Sequence, residues 1–483
     1  MKLRSNQHEP TSKGIAFFNE PNPRPALIIA PTAFGKSILV AYVAQACQGR
    51  TLVLQPSVEL LTQNFGKYIA LGNQDASIYS ASFGQKKLGG VTFATIGTIY
   101  KLGKLFKEYG YTNLIIDEAH LFPRALDSML AAFLTDSGIT HTLGLTATPF
   151  KLQRNVDIYG NPFSKLVMLT SPSKLSARTT FWKDILHVSQ IQEMVDNNFW
   201  SPLIYDVVSF DSSKLIYNSA KSDFTEKSVK ESYESQYISQ KIYKKLDQYK
   251  DRKAVLVFAE SVAEAREMSL QYPNSAYVHG MTPKKERKQL ITDFKAGRIR
   301  VMFNVGVLTT GFDHVGIDLI ILARPTNSLA LYYQILGRGT RIDPYKIKKD
   351  CLIVDLCGNY GRFGMIEKYK YEFINNKWYL FGDNDRLLTG GAVDQVFTRK
   401  DLMQEIEKTK RVALAKKEAK LQEPIGQLKT SVVDITEITM PFGKFKDQLV
   451  RTLPTWYVKY MQENFDFKEN FADLKKAVFG RKV

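Results

Sequence analysis

Ala26-Leu27-Ile28-Ile29-Ala30-Pro31-Thr32-Ala33-Phe34-Gly35-Lys36-Ser37 is the stretch from which the rest of the chain is read. Its first five residues are a continuous apolar run, the pattern of a strand buried on both faces. Pro31 ends the run, and a helical pattern follows Lys36. A glycine-containing loop between a strand and a helix N-terminus is the setting of a phosphate loop. Backbone N–H groups there point at the anion. Gly35 lets the backbone come close, and Thr32 lies within the loop. In such a loop Lys36 can reach the β- and γ-phosphates of a nucleotide, and Ser37 can ligate Mg²⁺. The first glycine of the general pattern is Ala30 in this chain. Taken alone, these residues also fit a surface loop with a stray lysine.

A second signal bears on that choice. Leu114-Ile115-Ile116 runs into Asp117-Glu118-Ala119-His120. Residues at the carboxyl ends of parallel strands line the ligand crevice. Asp117 is placed to hold the hydration shell of Mg²⁺, and Glu118 to orient and deprotonate an attacking water. Two acids at a helix start also suit the helix dipole. A phosphate loop at the end of another strand favours the hydrolytic reading.

The same alternation of apolar runs and helical patterns occurs twice, as in parallel α/β sheets. The first set is Ala26 to Ala30, Thr51 to Leu54, Val91 to Ala94, Leu114 to Ile116 and Thr142 to Leu145. The second is Ala254 to Phe258, Ala276 to His279, Arg300 to Asn304, Leu319 to Ala323 and Leu352 to Asp355. The expected fold class is α/β: two RecA-like parallel-sheet lobes at 1–165 (ATP-binding) and 245–360, with a small C-terminal accessory region. Residues 166–244 are expected to connect the lobes, with some structure of their own and a helix through Glu226 to Tyr237. In 361–435, a hairpin around Asn375-Asn376 precedes a charged helix at 400–420 and a linker. Residues 436–483 form a small separate module.

The chain has 483 residues, 44% hydrophobic, and a formal net charge of +18. Such a charge favours a polyanionic partner without specifying a fold. Three cysteines, Cys47, Cys351 and Cys357, are too few for a disulfide framework and lack the spacing of a zinc site. Each lies in an apolar run and is expected to be buried. No apolar run is long enough to span a bilayer, and no signal peptide is recognised. A cytoplasmic protein is expected (host cytoplasm if viral), monomeric and without a membrane partner.

In this order the residues resemble superfamily 2 helicases of the DEAH-box type. Leu3 to Gln7 is similar to the glutamine motif, which implies that Gln7 reads the adenine edge. Gln55-Pro56-Ser57-Val58-Glu59-Leu60 resembles motif Ia and Ala94 to Thr98, with Thr95 and Thr98, motif Ic; the resemblance implies nucleic-acid backbone contacts for both. Thr146-Ala147-Thr148 resembles motif III and Val255 to Glu260 motif IV. Thr309-Thr310-Gly311-Phe312-Asp313 resembles motif V, with Gly311 and Asp313 toward the nucleotide. Gln334 to Arg341 resembles motif VI, so that Gln334, Arg338 and Arg341 join Lys36, Asp117 and Glu118 as catalytic residues. Within the superfamily the run Ile78 to Thr98 and Val354 to Asn359 resemble the RadD-like and UvsW-like group, which acts on DNA repair and recombination intermediates.

Physical chemistry gives motif VI a job. Phosphoryl transfer spreads negative charge in its transition state, and an arginine from another domain stabilises it. Arg338 and Arg341 are three apart and suit one side of a helical turn. Gly337 beside them would weaken an exposed helix, which argues for close packing. His120 fits either a hydrogen-bonded link to Gln334 or motif III, or simple packing. Thr309 and Thr310 suit phosphate contacts, which position without reading sequence. The expected function is an ATP-dependent DNA helicase or translocase acting on forks, junctions or duplex. An RNA helicase and an ATP-gated clamp are the alternatives.

Met440-Pro441-Phe442-Gly443-Lys444-Phe445-Lys446 and Leu453 to Tyr460 resemble a small domain with an FGK turn found in some exonuclease and phage proteins. Trp456, Tyr460 and Phe465 are expected to form its core, with Lys444 and Lys446 exposed. DNA or replication and recombination proteins are its candidate partners.

Overall fold

The computed structural model describes residues 2–122, 129–156, 161–170, 180–308, 312–343, 348–422, 437–441, 445–464 and 471–480. It divides into two compact units, residues 1–406 and 407–483. The larger holds two large, mostly parallel sheets and two smaller antiparallel ones. The strands of the first half are β1 (Ala26–Ile29), β2 (Arg50–Gln55), β3 (Ala76–Ser80), β4 (Gln85–Lys86), β5 (Val91–Thr95), β6 (Tyr111–Asp117), β7 (His141–Thr146), β8 (Phe150–Val156), β9 (Pro162–Met168) and β10 (Asp184–Val188). Those of the second are β11 (Leu203–Val207), β12 (Val255–Phe258), β13 (Ser275–His279), β14 (Val301–Val305), β15 (Leu319–Leu322) and β16 (Cys351–Asp355).

The first sheet has the order β10-β1-β7-β6-β2-β5-β3-β4 and the second β11-β16-β15-β12-β14-β13. Within these two sheets all pairings are parallel except β3 with β4, and β8 pairs antiparallel with β9 apart from them. The expected two-lobed α/β fold is therefore present. Neighbouring side chains on a strand serve opposite faces. Leu27 packs with Leu52, Leu114 and Trp182 on one face of the first sheet, while Ile28 packs with Val40, Val53 and Phe93 on the other. In the second sheet Val255 and Val257 face one way, and Leu256 and Phe258 the other. Burial on both faces is why these strands read as unbroken apolar runs.

The segment 166–244 does more than connect. β10 pairs with β1 and extends the first sheet, and β11 pairs with β16 and extends the second. The expected helix occupies Glu226–Ser235, capped by the Thr225 hydroxyl. Past the second lobe, β17 (Lys370–Ile374) and β18 (Lys377–Phe381) form the expected hairpin. Asn375 (φ 48°) and Asn376 (φ 60°) both take left-handed conformations, as a two-residue primed turn requires. β19 (Arg386–Leu387) and β20 (Phe397–Thr398) complete a four-stranded sheet.

That sheet reaches back to the first lobe. Gly390 N donates to Leu166 O (2.7 Å) and Val393 N to Ser164 O (2.9 Å). The Gln190 amide bonds both the carbonyl (2.8 Å) and the N–H (3.0 Å) of Tyr371. The Tyr371 hydroxyl donates to Ala147 O, 3.3 Å away, inside the motif III segment. Residues after the second lobe thus strap it to the first.

The smaller unit, taken by itself, packs Met440, Val450, Leu453, Val458, Met461, Leu474 and Val478 together. Its helices are Thr455–Asn464 and Ala472–Gly480. Here the expectation for the aromatics is corrected. Trp456 is 62% exposed and Tyr460 56% exposed. The helix turns Val458 and Met461 inward, so positions 456 and 460 fall on the water side. Phe465, Phe442 and Lys444 lie outside the described residues; Lys446 is exposed. Cys351 and Cys357 are buried and Cys47 is half-buried. Burial pushes the Cys47 and Cys351 thiols up to about 12. No helix among the described residues is long and apolar enough to cross a membrane.

Candidate active site

β1 delivers the phosphate loop to the carboxyl edge of the first sheet, where Ala30 N donates to Thr146 O (3.0 Å). Ala33 (φ 56°) and Gly35 (φ 92°) take left-handed conformations that turn the chain into the Lys36–Ala46 helix. No side chain caps that helix, so its first N–H groups suit an anion. Behind the loop, buried Gln7 accepts from Arg4 N (2.8 Å) and donates to Phe34 O (2.5 Å). A Cβ at position 35 would come within 2.6 Å of the Gln7 amide nitrogen. Gln7 thus braces the loop and is not among the residues lining the cleft.

That cleft, about 270 Å³, is lined by Gly35, Lys36, Ser37, Asp117 and Glu118 from the first lobe and by Asp313, Arg338 and Arg341 from the second. Lys36 Nζ lies 3.3 Å from Glu118 Oε1. Glu118 is itself left-handed (φ 50°), a conformation that costs a non-glycine residue energy and recurs at functional sites. Burial alone would raise its pKa, but Lys36 and His120 hold it well below the ordinary carboxylate range. Asp117 goes the other way: burial, then the charge of Glu118, push it up to about 6. Its oxygens accept from Asn64 Nδ2 (2.7 Å) and Glu118 N (2.9 Å).

His120 joins the lobes. Gln334 Nε2 donates to His120 Nε2 (3.1 Å), which leaves the proton on Nδ1. That nitrogen lies 3.3 Å from Glu118 Oε2 and 2.9 Å from Thr146 Oγ1. Both links considered for His120, to Gln334 and to motif III, are therefore made.

The arginines come from the end of the Leu329–Gly339 helix, which Ser328 caps. Arg338 and Arg341 both donate to Phe312 O, at 2.5 and 3.1 Å. Arg341 also pairs with Asp313 (2.8 Å), whose other oxygen accepts from Gln63 of the first lobe (3.4 Å). Burial, then the neighbouring Arg341, lower Arg338 to about 9. With Arg4 and Lys67, the site thus gathers five cations and three carboxylates in one small volume. Its donors fit a nucleotide with a divalent cation: an uncapped helix start, Lys36, and the hard oxygens of Ser37 and Asp117.

Thr32 lies in the seam between the lobes and does not line the cleft. Its N–H donates to the Tyr333 hydroxyl (3.4 Å), and Trp200 Nε1 donates to its carbonyl (2.9 Å). A Cβ at Gly337 would meet the Thr32 side chain at 2.6 Å. Gly337 is therefore the residue that lets the arginine helix abut the phosphate loop. Gly337→Val must part the lobes or distort the helix, an overpacking cost of about 1–3 kcal/mol. ATP turnover is expected to fall at least tenfold (about 1.4 kcal/mol in the barrier) with the melting transition lowered but still cooperative. Parent-like turnover would refute the packing role.

Among the residues assigned to nucleic acid, Gln55 ends β2 and Thr95 ends β5, at the carboxyl edge of the first sheet. Gln55 is fully buried, which corrects its expected contact: it ends β2 pointing inward. Pro56, Ser57, Thr95 and Thr98 are partly exposed. The Ser57 hydroxyl caps the Val58–Ile69 helix. Thr95 and Thr98 share a hydroxyl–hydroxyl hydrogen bond of 3.0 Å. Thr309, Thr310 and Gly311 lie outside the described residues.

Three site residues escaped the sequence reading. Asn64 holds Asp117 and sits among the buried positions Leu60, Leu61 and Tyr68 of its helix; a polar residue in an apolar stripe was its signal. The Arg4 guanidinium lies 5.2 Å from the centre of the Phe199 ring, and both line the cleft. No local pattern connects two residues so far apart in sequence.

Residues 1–151 match the family model described as "Type III restriction enzyme, res subunit", and residues 237–343 match "Helicase conserved C-terminal domain". Residues 429–470 match "Putative quorum-sensing-regulated virulence factor". The chain is similar to a "51.5 kDa protein" of Lactococcus phage (isolate 7-9), 26% identical over 70% of this chain and 67% of that protein. It is similar to the "Putative ATP-dependent helicase IRC3" of Saccharomyces cerevisiae, 29% identical over 64% of this chain but only 42% of the yeast protein. It is also similar to the "DNA 3'-5' translocase XPB2" of Sulfurisphaera tokodaii, 25% identical over 68% of this chain and 77% of the archaeal one. The match therefore spans less than half the length of the yeast relative.

Proposed function

We propose, for a chain that belongs to the superfamily 2 helicases through its two matched domains, an ATP-dependent motor that travels on DNA and remodels or unwinds branched or duplex forms of it in replication, recombination or repair. One observation carries the reading: Lys36 and Glu118 of one lobe and Arg338 and Arg341 of the other line the same cleft. A site divided between two lobes makes hydrolysis depend on how they meet. Assignment to the RadD-like and UvsW-like group belongs to the same proposal.

The chain's own residues divide the work. The loop N–H groups and Lys36 bind the phosphates. Ser37 and Asp117 would hold Mg²⁺, which when bound neutralises charge on the phosphate oxygens. Glu118 takes the proton of the attacking water, and the arginines stabilise charge that develops in the transition state. His120, bonded to Gln334, reports the position of the second lobe to Glu118. Release of the arginines loosens the lobes. A phosphate backbone gripped beside Ser57, Thr95 and Thr98 on one lobe and by Thr309 and Thr310 on the other then shifts. DNA is favoured by the net charge of +18 and by what the archaeal relative is named for.

ATP turnover measured in parallel with single-stranded DNA, duplex, fork, four-way junction and RNA tests the reading. Forks or junctions are expected to stimulate most; stimulation by RNA alone would overturn the DNA assignment. Grip through phosphates also predicts weak sequence preference and a steep linear fall of log affinity with log salt. A site bound in a sequence-specific manner through high salt would contradict it.

A further inference from the structure

The water-facing side of the Thr455–Asn464 helix is built unlike a solvated surface. Val458 and Met461 face the core. The opposite face carries Trp456, Lys459 and Tyr460, all exposed, followed one turn on by Glu463. The two outer rings rest on two inner ones. Trp456 meets Tyr457 edge-on at 5.6 Å and Phe445 at 6.2 Å. Tyr460 stacks on Tyr457, with centroids 6.3 Å apart and planes 21° apart. Phe445 and Tyr457 lie 4.7 Å apart and pack against the core of the unit. The outer rings are thus backed by rings that are themselves anchored, so little side-chain freedom is left to lose when something binds.

The geometry points to a binding platform for single-stranded DNA on this face, with bases stacking on Trp456 and Tyr460 and phosphates meeting Lys459 and Lys446. Three observations select that occupant. The Lys459 ammonium lies between the two rings along the face, and a ring beside a cation is the combination by which proteins hold single strands without reading sequence. An apolar partner helix would call for aliphatic side chains beside the rings, and positions 456, 459, 460 and 463 supply none. Residues 436–483 carry nine Lys and Arg against six Asp and Glu, which suits a polyanion. Duplex DNA fits poorly, because its base faces are covered by their neighbours in the stack. The inference rests on the nucleic-acid reading above and adds to it a second contact, remote in sequence from the helicase motifs. Such a contact would keep the chain on the strand it has displaced, by raising the effective concentration of DNA near the motor.

The test uses the full chain without ATP and a labelled oligothymidylate of about 20 nucleotides, followed by fluorescence anisotropy beside a blunt duplex at one salt concentration. Trp456→Ala with Tyr460→Ala is expected to weaken single-strand binding about tenfold or more, since each stacked base contributes several-fold or more. Duplex affinity should change less than twofold, and ATP turnover without DNA should not change. Trp456→Phe with Tyr460→Phe should retain most of the single-strand affinity, because a flat ring remains. Unchanged single-strand affinity in the alanine variant overturns the platform and leaves the face to a protein partner. Equal weakening on both DNA forms overturns it too, since stacking acts only on unpaired bases. A parent chain that binds neither form removes the nucleic-acid reading itself, whereas tight binding that ignores these substitutions removes only the platform.

Discussion

Glu118→Gln is expected to bind ATP as the parent chain does and to lose nearly all turnover, a fall on the order of 10²–10⁴. The substitution keeps the shape of the side chain and an oxygen that accepts from Lys36, so the phosphate loop is undisturbed. What it removes is a group able to take a proton from water. Lys36, 3.3 Å away, and His120 hold Glu118 below the usual carboxylate range, which makes it a poor base as it stands. Drawing Lys36 onto the phosphates takes one cation from its side and raises its proton affinity. The base is thereby strengthened by the binding event that needs it. Lys36→Ala should differ in kind, losing nucleotide affinity together with turnover. Equilibrium binding of a fluorescent ATP analogue beside steady-state turnover separates the two variants. Near-parent turnover in Glu118→Gln would end the water-activating role.

How far this site could be read from sequence depended on whether its signals were local. The strand-to-helix turn at Gly35-Lys36-Ser37 and the acids at the end of β6 are set by neighbours along the chain, and so is the Asn375-Asn376 turn. Each was legible because residue type and φ are coupled over a few positions. The strands β10 and β11 were not. Both are edge strands with half-buried or exposed positions throughout, so neither shows the unbroken apolar run of β1 or β12, and their sequence does not set them apart from a connecting segment. Gln7 and Gln55 show a different limit. A motif fixes which residue stands at a position but not which way its side chain turns: Gln7 turns behind the loop and Gln55 into the lobe. Trp456 and Tyr460 misled for a related reason. Aromatics in a small domain are expected inside, but helix register put them opposite the stripe that packs. Asn64, in contrast, was legible in principle, because a buried amide among leucines needs a partner, and that partner is Asp117.

Arg341→Ala is expected to lower turnover by a factor on the order of 10³ while ATP affinity changes only a few-fold. Arg341 bonds Asp313 and the Phe312 carbonyl, and Gln63 of the first lobe reaches the same Asp313. The guanidinium is therefore held at the meeting of the lobes, positioned before any charge develops, which is the condition under which a donor favours the transition state over the ground state. Arg341→Lys should not rescue it: an ammonium cannot serve Asp313 and Phe312 O with a planar fork and also face the phosphates. Arg338 shares the Phe312 carbonyl but is more deeply buried, and burial lowers its pKa. Arg338→Ala should therefore lower the melting temperature as well as turnover, whereas Arg341→Ala should leave melting nearly unchanged. The decisive comparison is kcat against the dissociation constant for ATP in each variant. Equal losses in both quantities at Arg341 would make it a residue of ground-state binding. In that case closure of the lobes would serve to hold ATP, and release of the arginines could not be the step that moves the track.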